Sequence, residues 1–360
     1  MKVLFIYYIP SGGMETLNRM RNKSLKLAGI ECHFLYHLNG HGLQNPIDAP
    51  IFITKNEKEI REVIQNGKYT AIVVSSDPRE LQLIRSINYS GLLIYDIQGL
   101  GINKEFAYEY LQHHAGYYVN AYADAILSPE TPHIIDAVLK VFPNKPRYHF
   151  HNCIDFNQVK YREGKKSDVP IVGWIGRIEP NKNWRDFLYI CYMLKRKVPP
   201  LKFWMFEDSS LSTEKERKMF NRLVKSFQLE NSLKIFDNQP YDMMPEYYSV
   251  IGDSGGFLCS TSKVEGFGYA ILEALACRCP VLSSDSDGVR SFIIHDQTGK
   301  FYKSGKTKHA VEEGIDLLFN HEKREQIRVN GQKHALDNFS LETYSQNFVN
   351  MLNGLSSGQN

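Results

Sequence analysis

The chain has little net charge, no paired-cysteine motif and no long apolar run, and each absence removes a class of function. Its 43 Lys and Arg against 40 Asp and Glu leave a net charge of +3 over 360 residues. That is too little for the basic stripe with which nucleic-acid binders hold phosphates, so no nucleic-acid partner is expected. The basic runs are short: Arg19, Arg21, Lys23 and Lys26 near the start, and Lys195-Arg196-Lys197 later. Both read as solvated helix faces, the other reading being contact with a membrane surface or an anionic acceptor. No segment reaches the roughly 18 apolar residues of a spanning helix. The opening MKVLFIYYI lacks the cleavage site and long apolar region of a signal peptide and reads as a buried strand. Cys32, Cys153, Cys191, Cys259, Cys277 and Cys279 form no Cys-x-x-Cys, no zinc spacing and no disulfide framework. A reducing cytoplasm fits that usage, with the inner face of a membrane as a variant of it. No G-x-G-x-x-G follows the first strand, which disfavours a nicotinamide enzyme. There is no short-period repeat and no low-complexity segment.

What is present is alternation. Strand-like runs occur at 1–9, 31–38, 69–76, 91–97, 124–129 and 147–152. The first is followed by Ser11-Gly12-Gly13 and by a helical pattern (Leu17, Met20, Ser24, Leu25, Ala28) that stops near Gly29. Continuous apolar strands separated by helices imply a parallel sheet covered on both faces. The polar stretch 161–168 is the best linker, after which strands recur at 169–177, 201–206, 232–236, 255–259 and 280–284. The fold class is therefore α/β, with two successive Rossmann-like βαβ domains. Residues 1–163 form the first, 164–338 the second, and 339–360 a C-terminal helix and tail with room to cross back to the first. Ligands of such sheets bind outside the carboxyl ends of strands, and a cleft between facing domains is the expected site.

The segment with the most chemistry is Ser262 to Ala276, SKVEGFGYAILEALA. It follows a strand and opens a helix. Gly266 and Gly268 let the backbone approach a ligand, and a helix starting near Gly268 would direct free N–H groups and its positive dipole end at a diphosphate. Glu265 lies in the loop. Glu273 lies inside the helix among Ala270, Ile271, Leu272, Ala274 and Leu275, so it should face a mostly apolar interior. An unpaired buried carboxylate is expensive; two hydroxyls, such as those of a ribose, could satisfy it, and so could a basic residue. Trp174 to Lys182, WIGRIEPNK, ends the first strand of the same domain and puts Arg177 and Lys182 at its carboxyl end. Two cations there could neutralise a departing diphosphate, or each could belong to a surface ion pair.

Taken together, these pieces resemble the retaining glycosyltransferases of family 4, which have the GT-B fold. The matching segments are Gly12-Gly13-Met14-Glu15, Ala123 to Ser128, Asn152-Cys153-Ile154-Asp155, Gly176-Arg177 with Lys182, Ser262, Glu265 through Glu273 as the Glu-x7-Glu signature, and Thr298-Gly299-Lys300. The resemblance implies two domains facing each other across a cleft. It implies that Arg177 and Lys182 hold the donor diphosphate, Glu265 the donor sugar and Glu273 the ribose. Gly266, Phe267 and Gly268 would present backbone N–H groups, with Ser262 beside them and Tyr241 near the base. Gly12 and Gly13 would let the first helix approach the phosphate or the acceptor. The acceptor is assigned to the first domain, near Gly13, Glu15 and the loop 96–105 with Asp96 and Gln98.

The implied reaction is metal-free transfer of a sugar, with retained anomeric configuration, from a nucleotide diphosphate sugar to an acceptor hydroxyl. No cofactor is implied; the nucleotide sugar is a co-substrate, a UDP-sugar ahead of a GDP-sugar. The acceptor would be a lipid-linked or small molecule, and the basic first helix adds peripheral membrane contact as an expectation. A sugar-nucleotide epimerase of the same architecture and a catalytically silent scaffold are the rival readings. The chain departs from the family at Tyr95-Asp96, where a histidine is usual, at Phe206-Glu207-Asp208, and at Arg290-Ser291. Asp285-Ser286-Asp287 resembles a metal-holding Asp-x-Asp but reads as a turn with capping carboxylates. His113-His114 and His149-x-His151 lack a supporting ligand cluster and read as helix-surface and strand residues.

Overall fold

The computed structural model describes residues 1–100, 104–164, 167–198 and 200–357. The chain divides into two compact units, Met1–Asp155 with Phe339–Asn360, and Phe156–Asn338. Among the described residues the first unit holds strands β1 Lys2–Tyr7, β2 Glu31–Tyr36, β3 Ile51–Ile53, β4 Ala71–Val74, β5 Leu92–Asp96, β6 Ala125–Ser128 and β7 Arg147–His149. They form one parallel sheet in the order β3-β2-β1-β4-β5-β6-β7. Its helices are α1 Gly12–Leu27, α2 Glu57–Gly67, α3 Arg79–Ser86, α4 Lys104–Tyr110, α5 Gly116–Tyr122, α6 Pro132–Val141 and, from the far end of the chain, a C-terminal helix Leu341–Ser357. A π-helical turn, Leu111–Ala115, joins α4 to α5.

Alternation along β1 splits its side chains between two cores. Leu4 and Ile6 join Ile72, Val74, Leu93 and Ile126 under Ile64, Leu81, Val119 and Ile134. Phe5 points the other way, stacks on Phe34 at 5.5 Å and meets Phe348 of the C-terminal helix at a tilt, 6.1 Å between ring centres. That helix buries Tyr344, Phe348, Met351, Leu352 and Leu355, and each such side chain stabilises its place by about 1.5–3 kcal/mol. This is why the last helix returns to the first unit. Strands such as β4, AIVV, are buried throughout because both faces are covered.

The second unit holds β8 Ile171–Ile175, β9 Lys202–Glu207, β10 Leu233–Asp237, β11 Phe257–Ser260, β12 Val281–Ser284 and β13 Lys300–Tyr302, parallel and ordered β10-β9-β8-β11-β12-β13. Its helices are α7 Trp184–Lys197, α8 Glu214–Ser226, α9 Met244–Asp253, α10 Tyr269–Ala276, α11 Thr307–Phe319 and α12 His321–Asn338, so the C-terminal helix is α13. One face buries Trp174, Phe203, Met205, Phe257 and Leu282 against Phe187, Cys191, Phe220 and Val311.

The units change over at Asp155–Phe156, ahead of the expected boundary at 163–164. The polar stretch after Asp155 is anchored to α9: the Tyr161 hydroxyl donates to Asp253 at 2.9 Å and the Arg162 N–H to Ser249 Oγ at 3.0 Å. Lys165 and Lys166 of that stretch lie outside the described residues, as do residues 101–103 of the loop assigned to the acceptor. No helix among the described residues is long and apolar enough to cross a membrane. All six cysteines are buried thiols, and burial pushes Cys32 and Cys279 up to about 12.

Candidate functional site

In each parallel sheet the chain runs outward from one central strand and then outward on its other side, and loops diverge at that switch point. In the second sheet the switch lies between β8 and β11, the strands that carry Arg177 with Lys182 and Ser262 with Glu265 beyond their carboxyl ends. The two loops are bolted together. Thr261 Oγ1 donates to the Lys182 carbonyl at 2.8 Å and accepts the Trp174 indole N–H at 3.0 Å. Asn181 donates to the Val264 carbonyl at 3.1 Å and accepts its N–H at 3.3 Å, while the Asn181 carbonyl takes the Lys263 N–H at 2.9 Å. A third loop, after β12, joins them: Ser284 Oγ donates to the Ser262 carbonyl at 2.6 Å and the Glu265 N–H to the Ser286 carbonyl at 3.0 Å.

The outcome is one cation against one anion at the switch point. Lys182 Nζ lies 2.5 Å from Glu265 Oε1, with the two side chains 22% and 15% exposed and therefore reachable by a ligand. Immediately after Glu265 the backbone turns through Gly268, whose φ of +90° is a left-handed conformation that glycine adopts without strain, and α10 begins at Tyr269. Gly288 is needed for a different reason. A Cβ there would lie 2.3 Å from the Glu265 carbonyl oxygen and 2.7 Å from the Gly266 carbonyl carbon. Phe267 is buried, edge-on to Phe292 at 4.8 Å and to Tyr269 at 5.1 Å. Its ring anchors the loop, leaving the backbone of Gly266 to Gly268 as the part a ligand could meet.

Arg177, on the same loop as Lys182, is half-exposed and lies 3.1 Å from Glu179. Glu273 is buried, as its apolar surroundings imply. The Tyr248 hydroxyl on α9 donates to Glu273 Oε2 at 2.7 Å. Ser262 is buried, with its carbonyl held by Ser284, and Tyr241 is buried in the turn that opens α9. Asn181, Thr261, Trp174 and Tyr248 escaped the sequence reading. Asn181 lies inside the Arg177–Lys182 segment and could have been noticed there, whereas Tyr248 carries no local signal.

The first unit has its own switch point between β1 and β4, and Gly12 and Gly13 open α1 there. The acidic residues expected near the acceptor are engaged internally. Glu15 is buried and paired with Arg19 one turn on; burial is the main reason its carboxyl is raised above the ordinary range. Asp96 is buried too. It accepts from Arg21 Nη2 at 2.8 Å, Ser75 Oγ at 2.6 Å and Gln98 Nε2 at 2.6 Å. Gln98 in turn accepts from Asn152 at 2.7 Å, and Arg21 Nε donates to the Tyr344 hydroxyl of α13 at 2.8 Å. Asp96 is thus the anion of an interior pair. The basic first helix is engaged in a similar way. Arg19 and Arg21 are buried, Lys23 pairs with Asp155 at 2.6 Å and Lys26 with Asp48 at 2.5 Å. Arg19 and Arg21 thus lie inside the unit and not on the solvated face expected of them, whereas Lys26 is exposed.

Asp285 is held by Arg290 through two bonds of 2.8 Å, and Asp287 takes φ +69° in a run of turns. His113 and His114 are exposed on the π-helical turn, His149 bonds Ser128 Oγ at 2.8 Å and His151 lies 3.2 Å from Glu130. His295, Asp296 and Glu313 lie close enough together to share an ion. Lys300 Nζ already sits 2.8 Å from Asp296, 2.6 Å from Glu313 and 2.7 Å from Asp316, and its hydrogen bond helps hold the Asp296 carboxyl at about 2.

A family model described as glycosyl transferases group 1 matches residues 155–334. The 2-deoxystreptamine N-acetyl-D-glucosaminyltransferase of Niallia circulans is 23% identical over 188 residues, 52% of this chain and 45% of that protein. The capsular polysaccharide biosynthesis glycosyltransferase CapM of Staphylococcus aureus is 26% identical over 202 residues, 56% of this chain and 50% of that protein. The chain thus spans about half the length of the curated relatives it matches. Among solved structures, Anabaena Alr3699/HepE in complex with UDP-glucose is similar with a TM-score of 0.82 and 18% identity, over 99% of this chain and 100% of that one. This likeness bears out the expected fold class, two Rossmann-like α/β domains of the GT-B kind. The family match takes in Arg177, Lys182, Glu265 and Glu273 and half of the sequence, and the chain belongs to the glycosyl transferases group 1 family.

Proposed function

We propose that the chain is a retaining glycosyltransferase of family 4, which transfers a sugar from a nucleotide diphosphate sugar to an acceptor hydroxyl without a metal. The observation that carries this reading is the Lys182–Glu265 pair at a switch point, beside the glycine-lined start of α10. An ammonium group has three donors, so Lys182 can bond a diphosphate while keeping its bond to Glu265. UDP-glucose bound to Anabaena HepE supports a UDP-sugar as donor ahead of a GDP-sugar.

In this reading Lys182 and Arg177 take the diphosphate, together with backbone N–H groups of Gly266, Phe267 and Gly268. Glu265 accepts from hydroxyls of the sugar, Glu273 from those of the ribose, and Tyr241 and Ser262 border the nucleotide. The bond between the anomeric carbon and the phosphate oxygen breaks, and the two cations and the helix start stabilise the charge left on the diphosphate. The acceptor oxygen bonds the anomeric carbon from the same face, and its proton passes to the leaving phosphate oxygen. Gly12 and Gly13 are assigned to the phosphate or acceptor, a lipid-linked or small molecule.

The test is turnover of a UDP-sugar and GDP-sugar panel against mixed acceptor glycans, in EDTA, with the anomeric configuration of product read by NMR. Transfer with retention is expected, and Glu265→Gln should lose about 10²–10³-fold in turnover, the range for removing one preorganised polar group. Near-normal turnover by that variant would take Glu265 out of the site. An inverted product would refute retention, and product from donor alone would favour an epimerase.

A further inference from the structure

We propose that Tyr248 is a positioning residue for nucleotide recognition, fixing the Glu273 carboxylate in the orientation that receives the two ribose hydroxyls. The inference rests on the reading that Glu273 meets the ribose. Tyr248 and Glu273 sit on α9 and α10, two helices packed against each other, and are 1% and 6% exposed. The phenol donates to Oε2 at 2.7 Å. Burial, reinforced by the neighbouring carboxylate, raises the phenol well above its ordinary value, so it stays protonated and remains a donor at any working pH.

A glutamate's last torsion is broad and nearly two-fold, so an unanchored carboxylate samples many planes. A fully packed ring cannot follow it, and a charge-assisted bond to one oxygen selects one plane. An ionised carboxylate offers about four lone-pair sites, and Tyr248 occupies one of them. Lone pairs held in a fixed plane suit a pair of vicinal hydroxyls, whose donors are themselves fixed by the ring. The turn Tyr241–Met243 leads straight into α9, and the Tyr241 hydroxyl lies near enough to Tyr248 to act on its phenol. The anchor and the turn assigned to the base thus belong to one rigid piece.

Isothermal titration of the full-length chain with UDP and 2′,3′-dideoxy-UDP, repeated with the GDP and ADP pairs, tests this. The wild type should bind one ribonucleotide at least tenfold more tightly than its dideoxy partner. Tyr248→Phe should weaken the ribonucleotide about tenfold and the dideoxy form less than twofold, so that discrimination collapses. If Tyr248→Phe still discriminates as the wild type does, Tyr248 is merely structural and the proposal falls while the ribose reading stands. If the wild type does not discriminate, or binds none of the three, the ribose reading falls and takes the proposal with it. The double variant Y248F/E273Q removes the buried charge along with its donor and serves as the folding control. It should discriminate no better than E273Q alone, and a further loss beyond E273Q would show that Tyr248 does not act through Glu273.

Discussion

The Asp96→Asn variant separates two roles for this carboxylate, one in acceptor binding and one inside the first unit. Asp96 and Arg21 are both fully buried, with Nη2 and Oδ2 2.8 Å apart. Among the described residues Arg21 Nη1 has no hydrogen-bond partner, so the guanidinium relies on Asp96 and on the Tyr344 hydroxyl. Removing one member of a buried pair typically costs about 3–5 kcal/mol, because the remaining charge is left uncompensated. The amide that replaces the carboxylate keeps one oxygen that can accept from Arg21, which places the loss near the lower end, about 3 kcal/mol. A unit of this size loses about 2–4 °C per kcal/mol, so the transition of the first unit should fall by roughly 6–12 °C. The assay can tell the units apart. Trp174, Trp184 and Trp204 all lie in the second unit, so tryptophan emission follows that unit alone while far-UV circular dichroism follows both. The dichroism transition should move to lower temperature ahead of the emission transition, with turnover intact below it. The double variant R21M/D96N should recover much of the loss, since apolar replacement of a buried pair is often neutral. A D96N protein that melts within about 2 °C of wild type yet loses acceptor turnover would refute the reasoning and return Asp96 to the acceptor.

Two further outcomes follow from the geometry. Gly288→Ala places a methyl group 2.3 Å from the Glu265 carbonyl, a backbone atom that cannot rotate away. The donor loop must shift, so KM for the nucleotide sugar should rise at least about tenfold and stability fall by about 1–3 kcal/mol, the usual range for overpacking; an unchanged KM would show the loop to be pliable. His37 lies 2.7 Å from Glu80 through Nε2, and that hydrogen bond raises it above the ordinary histidine value. The protonated pair stabilises the fold fully below about pH 6.5, the unfolded value, and is lost as pH rises through the higher folded value. The melting-temperature difference between wild type and His37→Gln should therefore shrink from pH 6 to pH 9, and a constant difference would mean that His37 is neutral throughout.

Local pattern by itself determined most of the architecture. Apolar runs bounded by polar turns located the longer strands of both sheets, and Gly-x-Gly ahead of an apolar helix located the start of α10. The strand-end positions of Lys182 and Glu265 followed from the same runs. Strands β3 and β13, three residues each, went unmarked, although the equally short β7 was found within the run 147–152. In the first helix only the tertiary structure decided which charges lie inside. Arg21 looked solvent-facing because a helical pattern reports neighbours one or two turns away. Its actual partners, Asp96 and Tyr344, lie 75 and 323 positions along the chain. Glu273 found Tyr248 in the same way, across a helix–helix contact that no spacing encodes. The period of a segment is set by its own backbone geometry, whereas the partner of a buried charge is set by whichever distant element packs over it.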